Sequence, residues 1–407
     1  LRFEEKIETT KNTKQYVLEG NLKAPKEIES LVNNFKLHEE SLKHSHYSET
    51  SLCADYLNPL FEALGWDVLN KSGYSESYRD VIQQFRQKVG SSNKAPDYLF
   101  RTGATPVFFL EAKKPSVNIL TDKSPAYQLR TYGWNNKGVD ISILSDFEHL
   151  AIYDVRIKPK DTDEPHVARL VKFHYIEFVE KWDQLYGLLA RESICKGSLE
   201  KLLKEGPTKG TKETVDESFL KVIESWREEL AKNIANRNPS LTVHELNKAV
   251  QMTIDRIVFL RNCEDRNIEP PKQLLRLINN DGIYKQLLTL FEKADTKYNS
   301  GLFHFKNDKT RQTGKDELTP NLTVDDKTLK VMIEDLYPPK NPFDFSIMPV
   351  DILGQVYERF LGKVIRLTDS HRVKVEEKPE VRKAGGVYYT PKYIVDYIIK
   401  NTVGKLV

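Results

Sequence analysis

The sequence predicts an α/β domain, of sandwich rather than doubly wound type, followed by an all-α region. Strand-like apolar runs are confined to residues 67–155, and helical repeats lie before and between them. From about Ile176 onward almost every apolar repeat has the helical period. Helix, meander, helix and strand, in that order, is the pattern of a sheet covered by segregated helices.

Residues 1 to about 24 are polar and charged and read as an extension. Pro25 suits a helix start, and the helix should run to about residue 41. A second helix is expected over 48–64, ended by Gly65. Strands follow at 67–69, 95–100 and 107–112, the last two flanking a hairpin loop at 101–105. A helix at 124–132 precedes strands at 141–144 and 149–155. Farther on, Phe219, Ile223, Trp226, Leu230 and Ile234 share one helix face, and Thr242 with Glu245 forms a capping box for a helix through Asp265. Residues 206–211 and 307–322 read as loops. The expected domains are 1–24, 25–190, 191–380 and 381–407.

Composition narrows the function classes only a little. A net charge of +3 over 407 residues does not announce a nucleic-acid partner, so any basic groove must be local. Cys53, Cys195 and Cys263 fit no disulfide or metal spacing, which favours a reducing compartment. No apolar run has the length of a membrane span, and the first residues are no signal peptide. The chain starts without methionine and its last helix, 393–407, is unfinished, so both ends read as cuts through a longer protein.

The chemical signal is Asp97, in Pro96-Asp97-Tyr98, with Glu111 and Lys113, in Phe109-Leu110-Glu111-Ala112-Lys113-Lys114. Residues two apart on a strand share a face, so Glu111 and Lys113 point together. An antiparallel partner strand would bring Asp97 to the same face. Two carboxylates there make an oxygen site for a hard cation such as Mg2+, with Mn2+ as the alternative. The ion can polarise a phosphodiester and activate water, which the lysine would position. A Glu-x-Lys on a strand is ordinarily a solvated edge. Here it ends the apolar run 107–110, where burying charge needs a reason.

Residues 47–153 resemble the PD-(D/E)xK nuclease superfamily, particularly its restriction-enzyme branch, whose fold is a mixed sheet flanked by helices. Tyr47-Ser48-Glu49-Thr50 is similar to that family's first-helix glutamate motif. Asn58-Pro59-Leu60-Phe61 and Leu64-Gly65-Trp66-Asp67 resemble its approach to the first strand, and Gln128 with Tyr132 its glutamine–tyrosine helix. The resemblance implies that Asp97 and Glu111 hold the metal, that Lys113 is the catalytic lysine, and that Glu49 and Gln128 are accessory. Glu49 reads equally as a helix cap or ion-pair partner, and Gln128 as a surface helix residue.

Near the far end stands Gly386-Val387-Tyr388-Tyr389-Thr390-Pro391, preceded by a stretch over 351–362. Thr390 and Pro391 alone imply a helix start. Together the strings resemble the entry of adenine-specific methyltransferases of restriction–modification systems. In these, Tyr388, Tyr389, Thr390 and Pro391 would form one wall of an S-adenosylmethionine pocket. The cofactor's Gly-x-Gly loop and the Asn-Pro-Pro-aromatic motif are not in the sequence, so S-adenosylmethionine is expected only in the full-length enzyme. The helix carrying Asp255-Arg256 and Glu264-Asp265-Arg266 resembles the connector of single-chain, type IIG enzymes, its charges read as structural ion pairs. No phosphate-cradling Gly-x-x-x-x-Gly-Lys loop, and hence no motor, separates the two parts.

The expected function is therefore a Mg2+-dependent endonuclease module acting on double-stranded DNA in a prokaryotic cytoplasm. Its partners would be the methyltransferase and target-recognition domains of the same chain, with no membrane. The alternatives are a non-catalytic nuclease-like scaffold that positions DNA, and a helical interaction protein. His44 and His46 as metal ligands, and Tyr284, Tyr298 and residues 303–305 as base-stacking groups, are weaker candidates than packing and surface roles.

Overall fold

A computed structural model describes residues 22–402 apart from 45, 84–95, 104, 137, 206–211, 307–313, 350–351, 355, 357, 359–361, 369–371 and 378–391. The chain divides into two compact units between Glu213 and Thr214.

In the first unit, helix α1 (Lys26–Leu42) begins at Pro25 and buries Ile28, Val32 and Phe35. The next helix is interrupted. It comprises α2 (Glu49–Leu52), a π-turn (Cys53–Leu57) and α3 (Asn58–Ala63). Ser48 caps it, accepting from Ser51 N–H at 3.0 Å, and Gly65 stops it at φ 84°. Pro59 supplies no N–H for an i−4 bond, and Asn58 N–H donates five residues back to the Cys53 carbonyl, widening the turn.

The six strands are β1 (Val81–Gln83), β2 (Tyr98–Thr102), β3 (Thr105–Ala112), β4 (Ile141–Ser145), β5 (His149–Asp154) and β6 (Arg169–His174). They lie in chain order across one mixed sheet. All neighbours are antiparallel except β3 and β4, which run parallel because helix α4 (Lys123–Asn135) crosses over between them.

Two expectations are corrected here. Residues 67–69 are a turn, not a strand. The Asp67 carboxylate accepts from Lys71 N–H at 2.6 Å and Ser72 N–H at 2.9 Å, and Asn70 adopts φ 55°. The outermost strand is instead β1, whose three residues fall below any periodicity signal. The hairpin loop is also tighter than 101–105, since Thr102 pairs with Thr105. Arg101 stays in the strand because its guanidinium donates to Arg79 O at 3.0 Å and Glu76 O at 2.6 Å.

The sheet packs on both faces. One face buries Phe100, Phe108, Ile143 and Ile152 against α1, α3 and the helices α5 (Trp182–Leu189), α6 (Arg191–Cys195) and α7 (Ser198–Glu205). Residues 191–205, assigned to the connector from sequence, thus share this core through Ile194, Leu199, Leu202 and Leu203. The other face buries Leu144, Ala151, Tyr153 and Val155 under Ala126 and Leu129 of α4. Gly133 permits that approach: a Cβ there would lie 2.8 Å from Val155. Gly133→Ala is expected to cost about 1–3 kcal/mol through overpacking, read as a lower urea midpoint. An unchanged midpoint would show that α4 can move away freely.

The second unit is built on α8 (Val215–Arg237) and α9 (Val243–Asp265), each started by a Thr–Glu capping box, Thr214/Glu217 and Thr242/Glu245. Phe219, Ile223, Trp226, Leu230 and Ile234 are all buried along α8. α10 (Gln273–Leu277), α11 (Ile283–Tyr298) and α12 (Asp326–Glu334) follow. The charges of α9 are structural. Arg256 pairs with Asp316 at 2.8 Å, Arg261 pairs with Asp265, and Glu264 accepts from Tyr337 O–H at 2.5 Å.

The unit is not all-α. β7 (Lys363–Leu367) and β8 (Val373–Glu377) form an antiparallel hairpin. Val364, Ile365, Val373 and Val375 are β-branched, and Arg366 reaches Glu376 across the strands at 3.3 Å. Helix α13 (Lys392–Asn401) exposes Ile394, Tyr397, Ile398 and Ile399. Tyr388, Tyr389, Thr390 and Pro391, with the loop 206–211, lie outside the described residues. Among the described residues no helix is long and apolar enough to cross a membrane.

Candidate active site

Three elements of the first unit converge at one end of β2 and β3. The β2–β3 register pairs Tyr98 with Leu110, and one step beyond it Asp97 stands opposite Glu111. Opposed residues of an antiparallel pair share a face. Asp97 is fixed by Ala112 N–H, which donates to its Oδ2 at 2.7 Å. Lys113 continues the β3–β4 ladder, its N–H donating to Ser145 O at 2.9 Å. Its Nζ then lies 2.5 Å from Glu111 Oε1.

Helix α4 covers this face. Its Gln128 donates from Nε2 to the same Glu111 oxygen at 3.1 Å. One turn on, Tyr132 packs edge-on against Phe109, centroids 4.9 Å apart, which holds the helix over the strand. Packing of this helix thus sets the position of Gln128, which lies on its exposed side and still reaches Glu111. Glu49 opens α2, half-buried, and its charge acts on Asp97, Glu111 and Lys113. Ser48, not Glu49, is the helix cap.

The electrostatics follow from burial. Glu111 is 6% exposed, and desolvation pushes its pKa up to about 7, with Asp97 and Glu49 adding to the rise and Lys113 opposing it. Asp97 is likewise raised, chiefly by burial and further by Glu49. Burial alone would lower Lys113, but the charge of Glu111 and its hydrogen bond outweigh it and raise the ammonium. A buried and a half-buried carboxyl that resist ionising together, with the Lys113 ammonium beside them, suit a divalent cation held through oxygen. Asp97 Oδ1 and Glu111 Oε2 face no hydrogen-bond partner among the described residues.

The sequence did not single out what lies beneath the cluster. Tyr98 O–H donates to Asn58 Oδ1 at 2.8 Å, tying β2 to α3 beside Asp97. The Cys53 thiol is pushed up to about 12 by burial and by the nearby carboxylates, so it is inert there. Tyr98 and Asn58 stand in the quoted strings and Cys53 in none, but the Tyr98–Asn58 contact is set by the fold and has no signal along the chain. The remaining candidates resolve otherwise. His44 and His46 are exposed. Tyr284 donates to Thr319 O at 2.8 Å, Tyr298 to Glu269 at 2.5 Å, and Phe303 is fully buried.

A family model described as Type I restriction enzyme R protein N terminus matches residues 74–161. The chain is 37% identical over 379 residues to the Type II restriction enzyme and methyltransferase RM.Eco57I of Escherichia coli. That alignment covers 93% of this chain and 37% of the relative, so the chain spans little more than a third of that protein. Among solved structures, the type IIG restriction endonuclease BpuSI matches over 75% of this chain and 30% of its own, at 14% identity and a TM-score of 0.23. The chain resembles restriction–modification enzymes, as read from its sequence.

Proposed function

We propose that this chain is the Mg2+-dependent endonuclease module of a restriction–modification enzyme, a type II site-specific deoxyribonuclease hydrolysing phosphodiester bonds of double-stranded DNA. The observation that carries this reading is the convergence of Asp97, Glu111 and Lys113 on one face of adjacent strands. It is of the PD-(D/E)xK type, and the family-model match over 74–161 encloses all three residues. Asp97 and Glu111 would hold the ion, with Mn2+ as a substitute. Bound there, it supplies Lewis-acid polarisation of the phosphodiester and a lowered pKa for water. Lys113 orients the attacking water and faces the phosphate with positive charge. Gln128 fixes the Glu111 carboxyl, and Glu49 adds negative charge to the metal side. Residues 388–391 would join S-adenosylmethionine binding in the full-length enzyme, whose methyltransferase and target-recognition domains are the intramolecular partners.

Plasmid cleavage with and without Mg2+ tests the reading. Metal-dependent nicking or linearisation, abolished by Asp97→Asn, is expected. A protein that binds no Mg2+ or Mn2+, and cleaves nothing, would overturn it.

A pH dependence follows from Glu111. Below about pH 7 the metal-free carboxyl keeps its proton, so binding an ion must release it. Mg2+ affinity should rise up to about tenfold per pH unit toward 7 and then level off. Stability moves the opposite way. Between the ordinary value of 4.5 and about 7 the folded, metal-free protein binds more protons than the unfolded chain, so raising the pH through that window destabilises it. Glu111→Gln should therefore stabilise the metal-free protein at pH 8 while ending cleavage. Calorimetry in buffers of different ionisation enthalpy counts the protons; no release at pH 6 would refute the assignment.

A further inference from the structure

At the far edge of the same sheet, β5 and β6 bring His149 directly opposite His174. The two imidazoles meet edge to face, centroids 4.9 Å apart. Phe147, in the left-handed region at φ 65°, turns the chain so that Glu148 joins them, its Oε1 3.9 Å from His174 Nε2. One donor atom from each of the three residues lies within 4.8 Å of the other two. Two imidazole nitrogens and one carboxylate oxygen are the protein ligands of an open three-ligand zinc site.

We propose that Glu148, His149 and His174 form a second metal site, taking a transition ion of the zinc class and independent of the Asp97–Glu111 pair. Nitrogen donors select such an ion over Mg2+, whereas the oxygen-only pair does the reverse. Glu148 already has the outer support that metal sites use, and His149 has a carboxylate nearby to provide it. Lys43 Nζ holds Glu148 Oε2 at 2.9 Å and Glu39 Oε1 at 2.8 Å, which leaves Glu148 Oε1 turned to the histidine. Asp146, almost fully buried, has Oδ1 3.9 Å from His149 Nδ1, and that nitrogen is buried without a hydrogen-bond partner. A proton on Nδ1 directed at Asp146 leaves Nε2 as the metal donor.

Charge points the same way. The Lys43 ammonium is shared by the carboxyls of Glu39 and Glu148, while that of Asp146 stands beside His149. A dication offsets that excess of negative charge. The cost falls on His174, whose Nδ1 now accepts from Ile176 N–H over a long 3.3 Å. Coordination at Nε2 places the proton on Nδ1 and gives that contact up. Glu39 lies on α1, and its other oxygen accepts from Tyr175 O–H at 2.7 Å, so the ion would pin the β5–β6 end to α1.

The test uses the untagged chain carrying Glu111→Gln, which disables the carboxylate pair, stripped of metal with chelator and titrated with ZnCl2 by calorimetry. One binding event of micromolar or tighter affinity is expected, together with a zinc-dependent rise in melting temperature. Co2+ in place of zinc should give the strong visible absorption of a four-coordinate site. Adding His149→Gln or His174→Gln should weaken binding at least tenfold, and Lys43→Met, which removes no ligand, by a smaller factor. Metal-free melts of each variant report whether it has folded. A Glu111→Gln protein that binds no zinc, or folded histidine variants that bind it as tightly as their parent, would overturn the proposal. A cluster that is only an ion-pair network would show lowered metal-free melting in the variants and no zinc-dependent rise in the parent, which also overturns it.

Discussion

Lys113→Ala should reduce DNA cleavage by about 10²–10⁴-fold, the range for losing a positioned proton-transfer or water-orienting group, while the protein still binds Mg2+. The distinction rests on where the ammonium sits. Its Nζ lies against Glu111 Oε1, the oxygen also held by Gln128. Asp97 Oδ1 and Glu111 Oε2 remain for the ion whether or not the lysine is present. Removing Lys113 acts on metal affinity in two opposed ways. It takes away a positive charge beside the ion, and it removes the group that pulls the Glu111 pKa down, so the carboxyl is more often protonated near neutrality. The comparison therefore belongs at pH 8.5, where the proton no longer competes. There the variant should bind Mg2+ within a few-fold of the parent and cleave almost nothing. Cleavage undiminished at that pH would remove Lys113 from the chemistry, and loss of metal binding would make it part of the ion site.

How much of this was legible beforehand depended on the range of the interactions concerned. Glu111 and Lys113 two residues apart on a strand, with Asp97 across a short hairpin, form a local pattern, so the sequence could place all three on one face. The capping box at Thr242 and Glu245 was readable for the same reason, since both hydrogen bonds span three residues. Residues 67–69 misled because the apolar pair Val68-Leu69 resembles a short strand until the Asp67 carboxylate claims the Lys71 and Ser72 amides. β6 lies between the last expected strand and the helical region and carries no expected element, and the β7–β8 hairpin falls inside the all-helical reading. Their strands are five or six residues of mixed polarity, with no long apolar face. The pairing of His149 with His174 needs the β5–β6 register, which spacing along the chain does not reveal. Gln128 gained its position from Tyr132 packing on Phe109, a tertiary contact.

In the second unit, the largest expected effect on stability lies at Arg256. Its side chain is wholly inaccessible, and each nitrogen is engaged: Nη2 with Asp316 Oδ2 at 2.8 Å, Nη1 with Thr319 Oγ1 at 2.7 Å and Nε with Leu302 O at 2.8 Å. The guanidinium also lies over the Phe305 ring, 4.6 Å from its centroid. Asp316 accepts from the backbone amides of Leu318 and Thr319. Burial would raise its pKa, but the Thr319 hydrogen bonds and Arg256 hold it below the ordinary carboxylate value. A depressed carboxyl contributes stability above its unfolded pKa and loses it as the pH falls through the folded one. Arg256→Met keeps most of the volume but leaves the Asp316 charge buried and uncompensated, which should cost about 3–5 kcal/mol. Adding Asp316→Asn removes the stranded charge while keeping an oxygen for the two amides, so the double variant should recover part of that loss. Hydrogen exchange of the α9 amides in rising urea measures both. A double variant less stable than Arg256→Met alone would show that Asp316 stabilises this unit chiefly through its backbone contacts and not through the ion pair.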